Sequence, residues 1–340
     1  MAGSRLELVF GGTPPEGRLL LVGAGAGTDL DPFDPAHTQV VQGFFPDHQA
    51  LTARGFAVAT SAAGGFETAV VFLPRARAAA RARIAEAAAH LPPGAALWVD
   101  GQKTDGVDAV LKELRGLAPV DAVQSRAHGK IFRVTLPQPG WLPGDWAARD
   151  HEAAPGMVTR PGVFSADGPD PASQALAAAL PEKLPTRIVD LGAGWGWLSA
   201  QILTHPGVET LHLVEADASA LDCARRNVTD PRAQFHWADA LDFHLSEPVN
   251  GVIMNPPFHE GRAADPRLGA GFIRAAAGLL TGAGRLWMVA NRHLPYEQAL
   301  RECFAEVSEL GGDTRFKILT ATGARRAGAG GRGQPKGRRR

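Results

Sequence analysis

The sequence predicts an α/β protein built from two tandem units, each a mostly parallel sheet with helices on both faces. Three observations predict it. Strand-like and helix-like segments alternate along the 340-residue chain, a Pro- and Gly-rich stretch interrupts them, and the segments before that stretch repeat the outline of those after it. Alternation implies parallel strands, because a parallel pair cannot be closed by a tight turn and needs a crossover, usually a helix. The length fits roughly two domains of about 150 residues each.

In the second half, "TRIVDLGAGWGWLSAQIL" reads as a short buried strand, a glycine turn and a helix. Strand "TLHLVEAD" and helix "ALDCARRNV" follow, then strands "AQFHWAD" and "GVIMN", helix "GFIRAAAGLL", strand "GRLWMVAN" and helix "EQALRECFAEV". The first half echoes them. "RLLLVGAGAG" matches "RIVDLGAGWG", "TAVVFLPR" matches "NGVIMNPP", "GAALWVDGQKTDGVDAVLKEL" matches "GRLWMVANRHLPYEQALREC", and "KIFRVTL" matches "TRFKILT". Polar groups are lost in the first copy: Leu21 stands where Asp190 does, and Leu73-Pro74-Arg75 aligns with Asn255-Pro256-Pro257. The stretch 136–156 has neither period, so the expected domains are 1–140 (a degenerate copy, scaffold or substrate-holding), 141–156 (linker), 157–324 (the copy that keeps its polar groups) and 325–340 (tail). A competing reading keeps nucleotide binding on "GAGAG" of the first copy, although no acidic residue closes its second strand as Glu215 closes the other.

Hydrophobic residues make up 45% of the chain and no uncharged apolar run approaches the ~20 residues of a membrane helix, which predicts no membrane span. The first ten residues carry Arg5 and Glu7 and no long apolar core, so no secretory leader is expected. Cys223 and Cys303 alone make neither a disulfide framework nor a metal cluster. These features predict a cytoplasmic protein with no metal, and a monomer is expected. Net charge is zero but unevenly placed: residues 325–340 hold seven of the 35 Lys and Arg and no acid, which leaves 28 basic against 35 acidic residues before them. Their Gly and Arg content predicts disorder. A basic arm of this kind grips phosphates or simply keeps the chain solvated.

Gly192, Gly194 and Gly196 lie between a strand and a helix, where missing side chains let a ligand approach the backbone. That alone fits a dinucleotide or S-adenosylmethionine. Asp190, just before the glycines, repels a pyrophosphate and suits the cationic methionine end of a sulfonium cofactor. Glu215 is placed for ribose hydroxyls, and Asp239, with Ala240 beside it, for an adenine amine in the same crevice. Trp195 and Trp197 flank Gly196, one expected under the first helix and the other against the methionine pocket. The strand "VIM" then runs into Asn255-Pro256-Pro257-Phe258. An exocyclic amine is a poor nucleophile because its lone pair is delocalised into the ring. Asn255 and the Pro256 carbonyl would accept hydrogen bonds from both amine hydrogens and turn the lone pair toward the methyl donor. Pro256 and Pro257 fix the loop, and Phe258 offers a stacking face for a base, an interaction worth roughly 1–3 kcal/mol. Asn291, Arg292 and His293 end a later strand on the same side, within reach of RNA phosphate or the base, with a capping role as the alternative for Asn291.

"VDLGAGWG", "VEAD", "WADAL" and "NPPF", in that order, resemble the motifs of class I S-adenosylmethionine-dependent methyltransferases. "RPGVFSADGPDPASQAL", "NPPFHEG" and "VANRHLPYEQAL" resemble one branch, the ribosomal RNA small subunit methyltransferase C (guanine-N2) family, as do "HTQVVQGFFPDHQAL" and "GQKTDGVDAVLKEL" of the first half. The resemblance implies two Rossmann-like methyltransferase-fold domains, the first degenerate. It implies methyl transfer from S-adenosylmethionine to guanine N2 of small-subunit rRNA, naked or in the ribosomal subunit. It also implies that Phe164 and Ser165 cover the cofactor and that His259 belongs to the substrate site. Adenine N6, a large-subunit guanine, a protein glutamine amide, or a non-catalytic RNA-binding role are the alternatives.

Overall fold

A computed structural model describes residues 4–13, 15–257, 259–260, 263–264 and 266–325. The chain divides into two compact units, residues 1–167 with 216–220, and residues 168–215 with 221–340.

In the first unit one sheet holds β1 (Leu19–Val22), β2 (Thr38–Val41), β3 (Ala57–Ala59), β4 (Thr68–Phe72), β5 (Ala96–Gln102), β6 (Val120–Arg126) and β7 (Gly129–Thr135), in the order β3-β2-β1-β4-β5-β7-β6. β1 to β5 run parallel, and β7 lies antiparallel between β5 and β6. Helices α1 (Arg5–Phe10), α2 (Phe45–Ala53), α3 (Arg77–Ala89) and α4 (Val107–Arg115) cover the faces. Leu20, Val22 and Val71 pack with Ile84 of α3 and Leu114 of α4, while Leu19, Leu21 and Val70 pack with Phe10 and Leu51 on the other side. Burial on both faces explains why these strands read as continuous apolar runs rather than alternating ones.

The expected linker is structured. Trp146 is buried against the first core with Trp141 and Leu142 beside it, and β8 (His151–Ala154) pairs antiparallel with β9 (Met157–Thr159) around Gly156. Its prolines suppress both periods, yet its aromatic side chains still bury. The boundary between compact units therefore falls at 167/168, past the sequence-based boundary at 156.

The second unit opens with α5 (Pro171–Ala179), followed by β10 (Arg187–Leu191), α6 (Trp197–Leu203), β11 (Thr210–Glu215), α7 (Ala218–Asn227), β12 (Ala233–Trp237) and β13 (Val249–Met254). After a short ladder of β14 (His259–Glu260) with β15 (Ala263–Ala264) come α8 (Pro266–Leu279), β16 (Leu280–Asn291), α9 (Tyr296–Cys303), β17 (Phe304–Gly312) and β18 (Phe316–Ala324). The sheet order β12-β11-β10-β13-β16-β18-β17 repeats the first sheet strand for strand, so the expected duplication is real. The expected helix through "FAEV" is corrected: α9 stops at Cys303, and Phe304, buried, starts the edge strand β17 paired to β18. Long-range pairing overrides local helix propensity there.

Register corrects a second expectation. Leu21 pairs with Val70 and Asp190 pairs with Ile253, so Val70 corresponds to Ile253, Phe72 to Asn255 and Pro74 to Pro257. Direct comparison of the strings sets Leu73-Pro74-Arg75 against Asn255-Pro256-Pro257, one residue out. A one-residue slip exchanges the two faces of a strand. The faces agree with the register: Val70 packs on the Leu51 side, and Ile253 on the side of Ile202 in α6, whereas Val252 and Met254 face Ile273 and Leu300 of α8 and α9.

Candidate active site

The strand order of the second sheet reverses between β10 and β13, and ligands of open α/β sheets bind beyond the carboxyl ends of the strands at such a point. The turn leaving β10 there has φ of +85° at Gly192, +57° at Gly194 and +88° at Gly196, a region only glycine enters freely. A Cβ on Gly196 would strike Val228 and Ala224 at 2.9 and 3.2 Å, so that glycine lets α6 start against α7. A Cβ on Gly194 would meet nothing within 4 Å. Gly194 therefore faces open space, as a backbone approached by a ligand should.

Two carboxylates flank this turn. Glu215, at the end of β11, accepts the Gly194 N–H with Oε2 at 2.8 Å. Asp190 is fully buried; its Oδ2 accepts from the Ser199 hydroxyl at 2.6 Å, and its Oδ1 is buried without a hydrogen-bond partner. Burial pushes the Asp190 carboxyl up to about 7; the Ser199 hydrogen bond pulls it back, and the charge of Glu215 adds a smaller rise. An unmet buried acceptor of this kind costs roughly 1–3 kcal/mol, a cost that a bound donor removes. The site thus asks for a cation or N–H donor beside a glycine turn. That fits the methionine ammonium of S-adenosylmethionine.

Further along the crevice, Asp239 accepts the Leu241 N–H with Oδ1 at 2.9 Å, and Ala240 is buried in the core beside it. Asp239 thus fills the turn-stabilising role as well as standing where an adenine contact is expected. Trp195 is buried, with its carbonyl held by the Asn227 amide at 2.8 Å, while Trp197 is half-buried at the start of α6 and packs into the core of that face. Among the described residues no group of three or more His, Cys, Asp or Glu could hold a metal ion.

The Asn255-Pro256-Pro257 segment follows β13. Asn255 donates from Nδ2 to Asp170 Oδ2 and to Ser173 Oγ, both at 2.8 Å, and its Oδ1 is buried with no partner. Pro256 is buried and Pro257 exposed. Phe258 lies outside the described residues, as does the tail from residue 326; of His259 only the backbone is described, paired in the β14–β15 ladder. Phe164 and Ser165 belong to the first unit; Phe164 is 66% exposed, and Ser165 holds a left-handed backbone with φ of +53°. Arg292 is committed to the β17–β18 turn, donating to the Asp313 and Phe316 carbonyls and to Glu309 Oε1. Its guanidinium therefore has a structural task where a substrate contact was expected. Asn291 and His293 line a surface hollow with it and Arg315.

Sequence reasoning missed three residues of this site: Ser199, Asp170 and Ser173. Ser199 carried no signal, being one small residue on a helix. Asp170-Pro171 is a legible helix start, but its contact with Asn255 spans 85 residues of chain.

The fold and this crevice define a class I S-adenosylmethionine-dependent methyltransferase. Comparison with known proteins narrows the class. Residues 155–320 match the methyltransferase small domain, and residues 9–144 match the N-terminal domain that accompanies it. The ribosomal RNA small subunit methyltransferase C of Shewanella pealeana is 32% identical over 264 residues, covering 75% of this chain and 77% of the relative. That of Klebsiella pneumoniae is 29% identical, covering 77% of each. Among solved structures, the 16S rRNA N2 methyltransferase of T. thermophilus, in complex with AdoMet and guanosine, superposes with a TM-score of 0.78 at 25% identity, covering 93% of this chain and 91% of its own. The chain belongs to the ribosomal RNA small subunit methyltransferase C family.

Proposed function

We propose that the protein methylates the exocyclic N2 amine of a guanine in small-subunit ribosomal RNA. The observation that carries the proposal is the Asn255 side chain, whose Nδ2 is fully engaged and whose buried Oδ1 is left to accept a hydrogen bond. Asp190, the Gly192–Gly194–Gly196 turn, Glu215 and Asp239 with Ala240 would hold S-adenosylmethionine, which supplies an electrophilic methyl group when bound. Asn255 Oδ1 and the Pro256 carbonyl would each accept one amine hydrogen, so that the nitrogen lone pair faces that methyl. Once the amine nitrogen had taken that methyl, one of the hydrogens held by Asn255 Oδ1 and the Pro256 carbonyl would leave as a proton to solvent. The prolines keep both acceptors aimed before the substrate arrives, which avoids an ordering cost at each turnover.

Phe258 would stack the base and His259 would complete the substrate side. The first unit would steady the RNA, and the basic tail would add salt-sensitive contacts to phosphate. Work on ribosomal RNA would take place in the cytoplasm; among the described residues no helix is long and apolar enough to cross a membrane. Labelled-methyl transfer to isolated small and large subunits and to their stripped RNAs, followed by nucleoside mass spectrometry, tests this reading. N2-methylguanosine in small-subunit RNA is the expected product; label on adenine, on large-subunit RNA or on protein alone would overturn it.

A further inference from the structure

Asn255 does not choose its own orientation. Its amide nitrogen lies 2.8 Å from Asp170 Oδ2 and 2.8 Å from Ser173 Oγ, so each Nδ2 hydrogen has an acceptor. The same Asp170 Oδ2 accepts the Ser173 backbone N–H at 2.8 Å and so caps α5. Ala172 and Leu176 bury α5 in the core that also receives Ile253, one residue before the end of β13, so both sides of the contact stand on packed elements.

Turning the Asn255 amide by 180° would set its oxygen against the Asp170 carboxylate and the Ser173 oxygen. At Asp170 that arrangement replaces a hydrogen bond by lone-pair repulsion, whereas the Ser173 hydroxyl can donate as well as accept. The carboxylate therefore admits one orientation, with Oδ1 pointing away from α5. In that orientation Oδ1 is buried and unmet. Donation of both N–H groups to oxygen acceptors, one of them a carboxylate, also shifts electron density within the amide toward Oδ1 and makes it a stronger acceptor.

We propose that Asp170 and Ser173 are positioning residues of the methyl transfer: they lock the Asn255 amide with its oxygen toward the substrate amine and strengthen that oxygen as an acceptor. The inference rests on the proposed role of Asn255 and assigns it a support at the start of α5.

The test is a double-mutant cycle on the full-length protein, with labelled S-adenosylmethionine and small ribosomal subunits, reading kcat, KM and thermal midpoint. Asp170→Asn can keep the α5 cap and one acceptor but lacks the charge that dictates the orientation. Its kcat should fall roughly a hundredfold, as misplacement of a reacting group does. Ser173→Ala keeps the backbone N–H and removes one acceptor, and should lower kcat on the order of tenfold, while Ser173→Thr restores it. Cofactor KM and thermal midpoint should stay near wild type in Asp170→Asn and Ser173→Ala. In an Asn255→Ala background neither change should lower kcat further, because the group they orient is gone. Equal losses in both backgrounds, or a kcat loss that follows the thermal midpoint, would overturn the inference and leave Asn255's role standing. Full activity of Asn255→Ala itself would overturn both.

Discussion

The two crevices of this molecule stand on the same strand order and differ in what closes them. In the second, the turn after β10 is bordered by Asp190 and Glu215, and Asp190 and Asn255 each keep a buried oxygen unmet. In the first, Leu21 replaces Asp190, and the registers set Gln42 at Glu215 and Phe72 at Asn255. The glycine turn there is satisfied from within: Gly25 N–H donates to Thr28 Oγ1, Ala26 N–H to Asp47 Oδ1, and the Gln42 amide to the Ala24 carbonyl. Arg5 of α1 pairs with Asp100 of β5 in the same sheet. Duplication preserved the packing and abandoned the unmet acceptors. A fold retains costly polar groups where a ligand completes them and replaces them by apolar or self-satisfied groups where none does.

Substitutions that convert one crevice toward the other break or sharpen this contrast. The largest effect is expected from Asn255→Ala, which should lower kcat by roughly 10²–10³-fold, the loss typical of one transition-state hydrogen-bond partner, with cofactor affinity by calorimetry nearly unchanged. Asp190→Leu, copying Leu21, should weaken S-adenosylmethionine by roughly 10–100-fold, since a charged hydrogen bond is lost. The same variant should be more stable than wild type without cofactor, and pH gives the sign. With the folded carboxyl raised to about 7, the wild-type group contributes stability below about pH 4 that is lost as pH rises toward 7. Chemical denaturation should therefore find the gain of Asp190→Leu at pH 8 and little of it at pH 4. Cofactor affinity of the wild type should rise as pH passes up through 7, and this dependence should be absent in the variant.

Glycines separate the copies next. Gly196→Ala should destabilise by about 2–3 kcal/mol, through a clash with Val228 and Ala224 and a positive φ, while Gly27→Ala in the first copy, where a Cβ meets nothing within 4 Å, should be near neutral. Thermal melts compare the two. A smaller loss of affinity than that of Asp190→Leu is expected from Glu215→Gln, copying Gln42: an amide still accepts from the Gly194 N–H but lacks the charge, so cofactor affinity should fall about tenfold or less.

Much of the fold was legible because both sheets bury two faces and so leave long apolar runs between glycine turns and helices. The carboxylates at the ends of β10 and β11 were legible for a related reason: a charged residue closing an apolar run stands out in a string. Register was not, since Val70-Val71-Phe72 and Val252-Ile253-Met254 are uniformly apolar and align as well one residue out. The edge strand β17 was missed because "FAEV" continues a helical pattern until pairing with β18 decides otherwise. The Asp170–Asn255 contact joins residues far apart in the chain, and spacing carries no trace of such a pair.

The central claim, that one crevice kept the cofactor site and its duplicate lost it, is tested most directly by calorimetric titration of the full-length protein with S-adenosylmethionine. One site per chain, eliminated or weakened at least tenfold by Asp190→Leu and untouched by Gly27→Ala, is the predicted result. Two sites per chain, or a single site indifferent to Asp190→Leu, would contradict it.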